Sequence, residues 1–397
     1  LLAGCADLKD LGKLQQGLAA NFHTSGVAID LANGNALTVT FVNLAVSDSD
    51  RPSLCRQAAE FVRDHYAGYD HLRTVAVGFK RQIGIAGFSA SRSTVPCQYT
   101  TAELATPLTP HEAMLTVPGG GRIWYRVAGT GPGTPVIVIH GGPGSTSCGL
   151  TPFTALGNDR PVILYDQLGT GRSDRPADTT YWNLPHFVAE LQTLRDSLGL
   201  SRVDLLGHSW GTAVAMEYAL THPNSGVEAL VLAGPFLSTP RWIEDADSLV
   251  GDLPDSLQRI IARADSAGNY DSPRYAAAVN AYYAQHLSIT NHPRPACEGV
   301  RGNDRMYRAM WGPSEFRSTG TLRTYDRSDR LGELKLPVLL LGGQYDEAPP
   351  SRLRWYQVRI PGSEIAVIPG AAHAEVRDNP DSTIAAVRAF LRRADQH

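Results

Sequence analysis

Gly207-His208-Ser209-Trp210-Gly211 follows an apolar run over residues 203–206 and leads into residues 212–220, which read as a helix. A strand, a sharp turn and a helix with Gly-x-Ser-x-Gly at the turn form a nucleophile elbow, which presents a serine on a strained backbone. The flanking glycines answer crowding, because side chains there would collide with the strand or the helix. By itself the pentapeptide equally describes an ordinary strand-to-helix turn capped by serine. A base and an acid must therefore be found elsewhere.

A serine hydroxyl is a poor nucleophile at neutral pH and needs a base within hydrogen-bond reach, with an acid to orient that base. On an elbow of this kind the chain order is Ser, then Asp or Glu, then His. Asp346 follows Val338-Leu339-Leu340-Leu341-Gly342-Gly343-Gln344-Tyr345, and His373 follows Val367-Ile368-Pro369-Gly370-Ala371-Ala372. Each stands just past a strand-like run, on the edge of the sheet where Ser209 is exposed. A turn aspartate or a loop histidine is common alone; both in this order point to a triad, with Glu347 as the fallback acid. The oxyanion hole needs backbone N–H groups. Trp210, after the nucleophile, supplies one, and Gly142 in His140-Gly141-Gly142-Pro143-Gly144 supplies the other. No Lys-Ser/Thr follows this glycine loop, which disfavours phosphate binding. No His/Cys spacing suggests a metal, and no cofactor is expected.

Working outward, continuous apolar runs occupy residues 136–139, 162–165, 203–206, 230–232, 338–341 and 365–368. Runs without alternation, separated by helical stretches (187–198, 212–220, 351–358, 381–392), describe strands buried on both faces of a parallel sheet. Asp381 is placed to cap the last helix. A hairpin over residues 113–117 and 122–127 precedes the sheet. Residues 236–329 lack strong strand runs but hold helical segments at 243–249 and 274–286, so they form a cap over the strand ends. The core is then 112–235 and 330–397.

The first hundred residues read differently. Residues 6–24 are polar and helical in tendency, a tether. A hairpin at 27–30 and 36–43 turns on Asn33-Gly34, a helix covers 53–66, and strands cover 74–79 and 83–89. These make a small α+β module, 6–98, followed by a Pro- and Thr-containing linker, 99–111. No catalytic constellation is present in the module, which reads as a docking or envelope-positioning unit.

A net charge of -3 and the absence of basic runs give no reason to expect nucleic acid. Leu1-Leu2-Ala3-Gly4-Cys5 resembles the end of a bacterial lipoprotein signal (residues 1–5), with a lipid on Cys5 as the one membrane attachment and the cell envelope or exterior as the location. Such a compartment permits disulfides. The expected pairing is Cys55 with Cys97 inside the module, and the pairing of Cys148 with Cys297 is left open.

His140-Gly141-Gly142-Pro143-Gly144, Asp166-Gln167-Leu168-Gly169-Thr170-Gly171-Arg172-Ser173 and the elbow together resemble the proline iminopeptidases of the α/β-hydrolase fold. Trp311-Gly312-Pro313-Ser314-Glu315-Phe316 and Gln344-Tyr345-Asp346-Glu347 look like the subgroup of the tricorn-interacting aminopeptidase and amino-acid amidases. The resemblance runs from about Glu112 to the C-terminus. It implies release of an unblocked N-terminal residue, often proline, from short peptides, arylamides or amides, with cap acids holding the substrate α-amine. Glu315 is the matching acid. For a second, Glu298 and Glu244 are candidates without a motif. Asp166 and Arg172 are expected to support the site through local charge-assisted hydrogen bonds. An amino-acid amidase or carboxylesterase of the same fold, and a non-catalytic envelope binding protein, are the alternatives.

Overall fold

Leu14 and Leu18, one helical turn apart, are buried within the N-terminal helix α1 (Gly4–Asn21). That stretch is therefore packed through an apolar stripe and is not the tether its polar composition suggested. The structure, a computed structural model, describes residues 4–396 except 49, 86–87, 105–107, 201, 224 and 291–296. Residues 1–3 of the lipoprotein-type stretch and the side chain of Cys5 lie outside the described residues.

The chain divides into two units, Leu1–Pro107 and Leu108–His397. In the first, β1 (Val27–Ala32) and β2 (Ala36–Val42) form the antiparallel hairpin, with Asn33 and Gly34 at positive φ in the turn. Helix α2 (Arg51–His65) then carries the chain to β3 (Thr74–Ile85), which lies parallel to β2. The two strands expected at 74–79 and 83–89 are otherwise arranged. β3 runs on through Lys80, Arg81 and Gln82, because β4 (Phe88–Ser93) continues the ladder opposite them. Alternate residues of β2 (Leu37, Val39, Phe41) and β3 (Val75, Val77) meet α1 and α2 in one apolar core. β5 (Cys97–Thr100) also pairs with β3, Leu104 of α3 (Thr101–Leu104) is buried, and Cys55 and Cys97 form a disulfide. The beginning of the expected linker is thus part of this core. Of the rest, 105–107 lie outside the described residues.

In the second unit the hairpin β6 (His111–Val117) and β7 (Gly121–Ala128) forms one edge of an eight-stranded sheet. β8 (Val136–Ile139), β9 (Val162–Asp166), α4 (Leu184–Ser197), β10 (Val203–His208), α5 (Trp210–Thr221) and β11 (Val227–Ala233) follow. The spatial order is β6, β7, β9, β8, β10, β11 and then two further strands, all parallel from β9 onward. The continuous apolar runs split by parity. Ile137, Ile139, Leu205 and Leu230 join one core with α4 and α5; Val136, Val138, Leu206 and Val231 join the core on the opposite face. A one-sided sheet would have shown alternation; this one has none to show.

Between β11 and β12 (Val338–Gly343) lies the cap: α6 (Thr239–Gly251), α7 (Asp255–Ala267), α8 (Pro273–His286) and α9 (Asp304–Met310). Its own apolar core includes Ala246, Ile261, Tyr275, Tyr282 and Phe316. Cys148 and Cys297 form a disulfide between a 3-10 helix after β8 and this insertion. α10 (Pro350–Gln357), β13 (Glu364–Ile368), α11 (Glu375–Asp378) and α12 (Pro380–Ala394) complete the unit. The cap of α12 is Asn379, whose side chain accepts from the Ser382 N–H at 3.2 Å, not Asp381. Pro380 takes the first helical position, where its missing N–H costs nothing, and pushes the capping residue one place back.

Candidate active site

Ser209 sits between β10 and α5 at φ 53°, a left-handed conformation costly for any residue with a Cβ. Its N–H is held by the carbonyl of Ala233 on the neighbouring strand at 2.8 Å. The glycines have the reason the sequence implied. A Cβ on Gly207 would run into the carbonyl of Gly211, and one on Gly211 into the carbonyl of Ile139. The elbow is tight because the helix doubles back over the strand.

β10 lies beside β8, so the loop that leaves β8 passes the elbow. A Cβ on Gly141 would stand 2.9 Å from Cβ of Ser209, which shows how closely that backbone approaches. Gly142, Ser209, His208, Glu315 and His373 line one cavity of about 520 Å³. Trp210 opens α5, where a backbone N–H has no intrahelical acceptor. Gln167 holds both sides of this arrangement, a role the sequence reading did not give it. Its side chain donates to the His140 carbonyl at 2.9 Å and accepts from Trp210 Nε1 at 3.1 Å. From the cap, the Asn303 N–H donates to the Gly144 carbonyl at 2.7 Å. Asp166 accepts from the N–H and hydroxyl of Ser147, both at 2.8 Å, and from the Arg172 N–H at 2.9 Å. The Arg172 guanidinium stacks over Trp124, so most of the expected Asp166–Arg172 contact runs through backbone.

Asp346 and His373, on loops after β12 and β13, meet with Oδ1 accepting from Nδ1 at 2.8 Å, both buried. Asp346 is further oriented by the N–H groups of Gly343 and Ala348. The imidazole packs against Trp242 of α6, and a side chain at Gly234 would strike it. Burial alone would lower the His373 pKa; Asp346, Glu347 and Glu375 outweigh it and raise it to about 10.

The cap delivers Glu315. Its N–H donates to the Tyr283 hydroxyl at 3.2 Å, and its carbonyl accepts from Trp242 Nε1 at 2.9 Å, so the backbone is pinned where Glu315 lines the cavity. Glu347 is not the triad acid: Asp346 takes the His373 Nδ1, and the buried Glu347 is coupled by charge to Glu315, His373 and Asp346. It is fully buried, and neither carboxylate oxygen has a hydrogen-bond partner among the described residues. Burial raises both carboxyl pKa values, and Glu315 raises that of Glu347 further. The other candidates for a second acid lie elsewhere. Glu244 is an exposed residue paired with Arg241 and Arg352, and Glu298 is exposed.

A strained serine, a His–Asp pair at the parallel strand ends and a glycine loop beside them define a serine hydrolase. Its sheet order is that of the α/β-hydrolase fold, and a family profile for that fold matches residues 134–378. Similarity to known proteins is narrower. The chain is 41% identical over 285 residues to a proline iminopeptidase of Heyndrickxia coagulans, covering 70% of this chain and 98% of that one. It is 33% identical to one of Saccharolobus solfataricus, covering 67% and 87%. The crystal structure of a Mycobacterium smegmatis proline iminopeptidase superposes with a TM-score of 0.65 at 30% identity, covering 72% and 99%. The chain belongs to the proline iminopeptidase family.

Proposed function

We propose that this chain is a serine aminopeptidase that releases an unblocked N-terminal residue, proline foremost, from short peptides or arylamides. The observation that carries the reading is Glu315, which lines the same cavity as Ser209 and His373, with the buried Glu347 coupled to it by charge. Two buried acids that repel one another favour a compensating positive charge, and a substrate ammonium beside Glu315 supplies it.

Ser209 Oγ attacks the substrate carbonyl carbon while His373 Nε2 takes its proton. The Gly142 and Trp210 N–H groups stabilise the oxyanion. The proton then passes to the departing amine, leaving an acyl-enzyme that water hydrolyses by the same route. The ammonium has a second effect. Neutralising the carboxylates removes part of what holds the His373 proton, so the right substrate also frees the base. Family membership at 41% identity supports proline as the first residue to try. The Leu2-Ala3-Gly4-Cys5 stretch supports placement at the cell envelope through a lipid on Cys5, which labelling with a radioactive fatty acid tests.

The deciding experiment is a panel of aminoacyl arylamides, amides and acyl esters, each with and without N-acetylation. Fast turnover of free prolyl arylamide, abolished by acetylation, supports the reading. Equal rates with a blocked amine would remove Glu315 and Glu347 from recognition. Good turnover of simple esters alone would favour a carboxylesterase, and preference for the amide over the dipeptide an amidase. A protein inert to fluorophosphonate as well would be the non-catalytic binding protein.

A further inference from the structure

His208, the last residue of β10, reaches past the elbow to the loop that carries the base. Its Nε2 lies 2.8 Å from the backbone carbonyl oxygen of His373 and 3.3 Å from Oε2 of Glu375. Both neighbours are acceptors, so Nε2 carries the proton, a tautomer assigned from its partners. Glu375 is fully buried at the start of α11; Oε2 stands within ion-pair range of His208, while neither carboxylate oxygen makes a hydrogen bond to a described residue. Burial raises the Glu375 pKa, and His208 draws it back.

A buried carboxylate is costly unless something holds it in use. What this one holds is informative. His208 directly precedes Ser209, and Glu375 follows His373 with only Ala374 between. The contacts therefore join the backbone beside the nucleophile to the backbone beside the base. The His373 N–H is tied on its other side to the His286 carbonyl at 2.9 Å, so the peptide units flanking the imidazole are gripped from the cap and from the elbow. His373 Nε2 is buried and makes no hydrogen bond to another described residue, which makes its approach to Ser209 Oγ a matter of backbone placement. A misplacement of about 1 Å between reacting groups costs about 100-fold in rate.

We propose that His208 and Glu375 are positioning residues that set the separation between the Ser209 hydroxyl and His373 Nε2, acting through the His373 backbone carbonyl. The proposal rests on the serine-nucleophile reading but not on the proline preference. The full-length chain is therefore compared as wild type, His208→Ala, His208→Gln and Glu375→Gln. The first readout is the rate at which a fluorophosphonate labels Ser209, which needs no knowledge of the substrate. The others are kcat and KM on prolyl arylamide and the thermal midpoint.

His208→Ala and Glu375→Gln are expected to slow labelling and kcat by about 10- to 100-fold with KM changed less than about 3-fold. His208→Gln keeps an N–H for the His373 carbonyl and is expected to recover most of that loss. Labelling of folded His208→Ala at the wild-type rate overturns the proposal. So does a loss that His208→Gln does not relieve, or a lower thermal midpoint with unchanged labelling, since a purely structural contact behaves that way. Wild-type protein that resists labelling altogether would sink the nucleophile reading as well.

Discussion

Among its described residues, the first unit buries Leu14, Leu18, Phe41, Val62, Val75 and similar apolar side chains, with Thr101 as its buried polar residue. The second unit buries Asp166, Glu190, Asp204, Asp346, Glu347, His373, Glu375 and Arg160. Burying an ionisable group costs several kcal/mol unless it is paired, so the contrast separates a unit built for packing from one that carries chemistry. The buried charges of the second unit divide again. Arg160 is matched by Asp204 at 2.7 Å and Asp395 at 2.8 Å. Glu347, with neither carboxylate oxygen hydrogen-bonded to a described residue, is coupled by charge to Glu315 on the cavity wall, and it is there that a cationic substrate is proposed to bind.

The strongest way to break this contrast is at the nucleophile. Ser209→Ala should lower kcat on prolyl arylamide by at least about 10⁴-fold while leaving the fold intact, and Asp346→Asn by a similar factor. Residual turnover near wild type would relocate the active site.

The carboxylate pair comes next. Glu347→Gln or Glu315→Gln should cost about 100- to 1,000-fold in kcat/KM for a free amine, in line with removing one partner of a buried charge pair. Turnover of a simple acyl ester should not fall. Equal losses on both substrates would show that the glutamates support the fold rather than read the amine.

In the first unit, Leu18→Ala should destabilise by about 2–5 kcal/mol, as a buried leucine truncation does. Denaturant unfolding followed by a probe in residues 1–107 measures it. Labelling of Ser209 should not change, because the triad and its supports come from residues beyond 107. A parallel loss of labelling would join what the contrast separates.

The smallest effect is in pH. His373 acts as a base only when neutral, and its neighbouring carboxylates favour the protonated form, so kcat/KM should rise with pH through a pKa above the ordinary imidazole range. In kcat, which reports the enzyme–substrate complex, the acid limb should lie lower by about one unit or more because the ammonium has neutralised Glu315 and Glu347. Glu347→Gln should lower the limb in kcat/KM. Coincident limbs would mean that the amine binds without touching the base.

Much of the catalytic chemistry was legible because it is written locally. The elbow glycines, the Ser–Asp–His order and the placement of each after an apolar run require only neighbouring residues and the two-residue or 3.6-residue periods. What was misread lay where composition and packing disagree. α1 looked like a tether because its exposed face is polar, yet Leu14 and Leu18 sufficed to dock it. β3 looked broken at Lys80-Arg81-Gln82, yet the opposing strand kept the ladder going. Helix α12 took Asn379 as its cap because Pro380 claimed the next position.

Glu347 shows where the boundary falls. The sequence places it beside Asp346, and adjacency suggested a substitute for it. Asp346 hydrogen-bonds the imidazole, whereas Glu347 makes no hydrogen bond to a described residue and is coupled by charge to Glu315, an acid 32 positions back in the cap. His208 and Glu375 likewise meet across more than a hundred residues. The sequence by itself picked out the proposed nucleophile, base and acid, and determined the two-faced parallel sheet, since each reading uses local backbone geometry and burial period. Which charges share a buried space depends on how distant segments pack. Only the tertiary structure decided that Glu347 stands with Glu315, and that His208 grips the loop of the base.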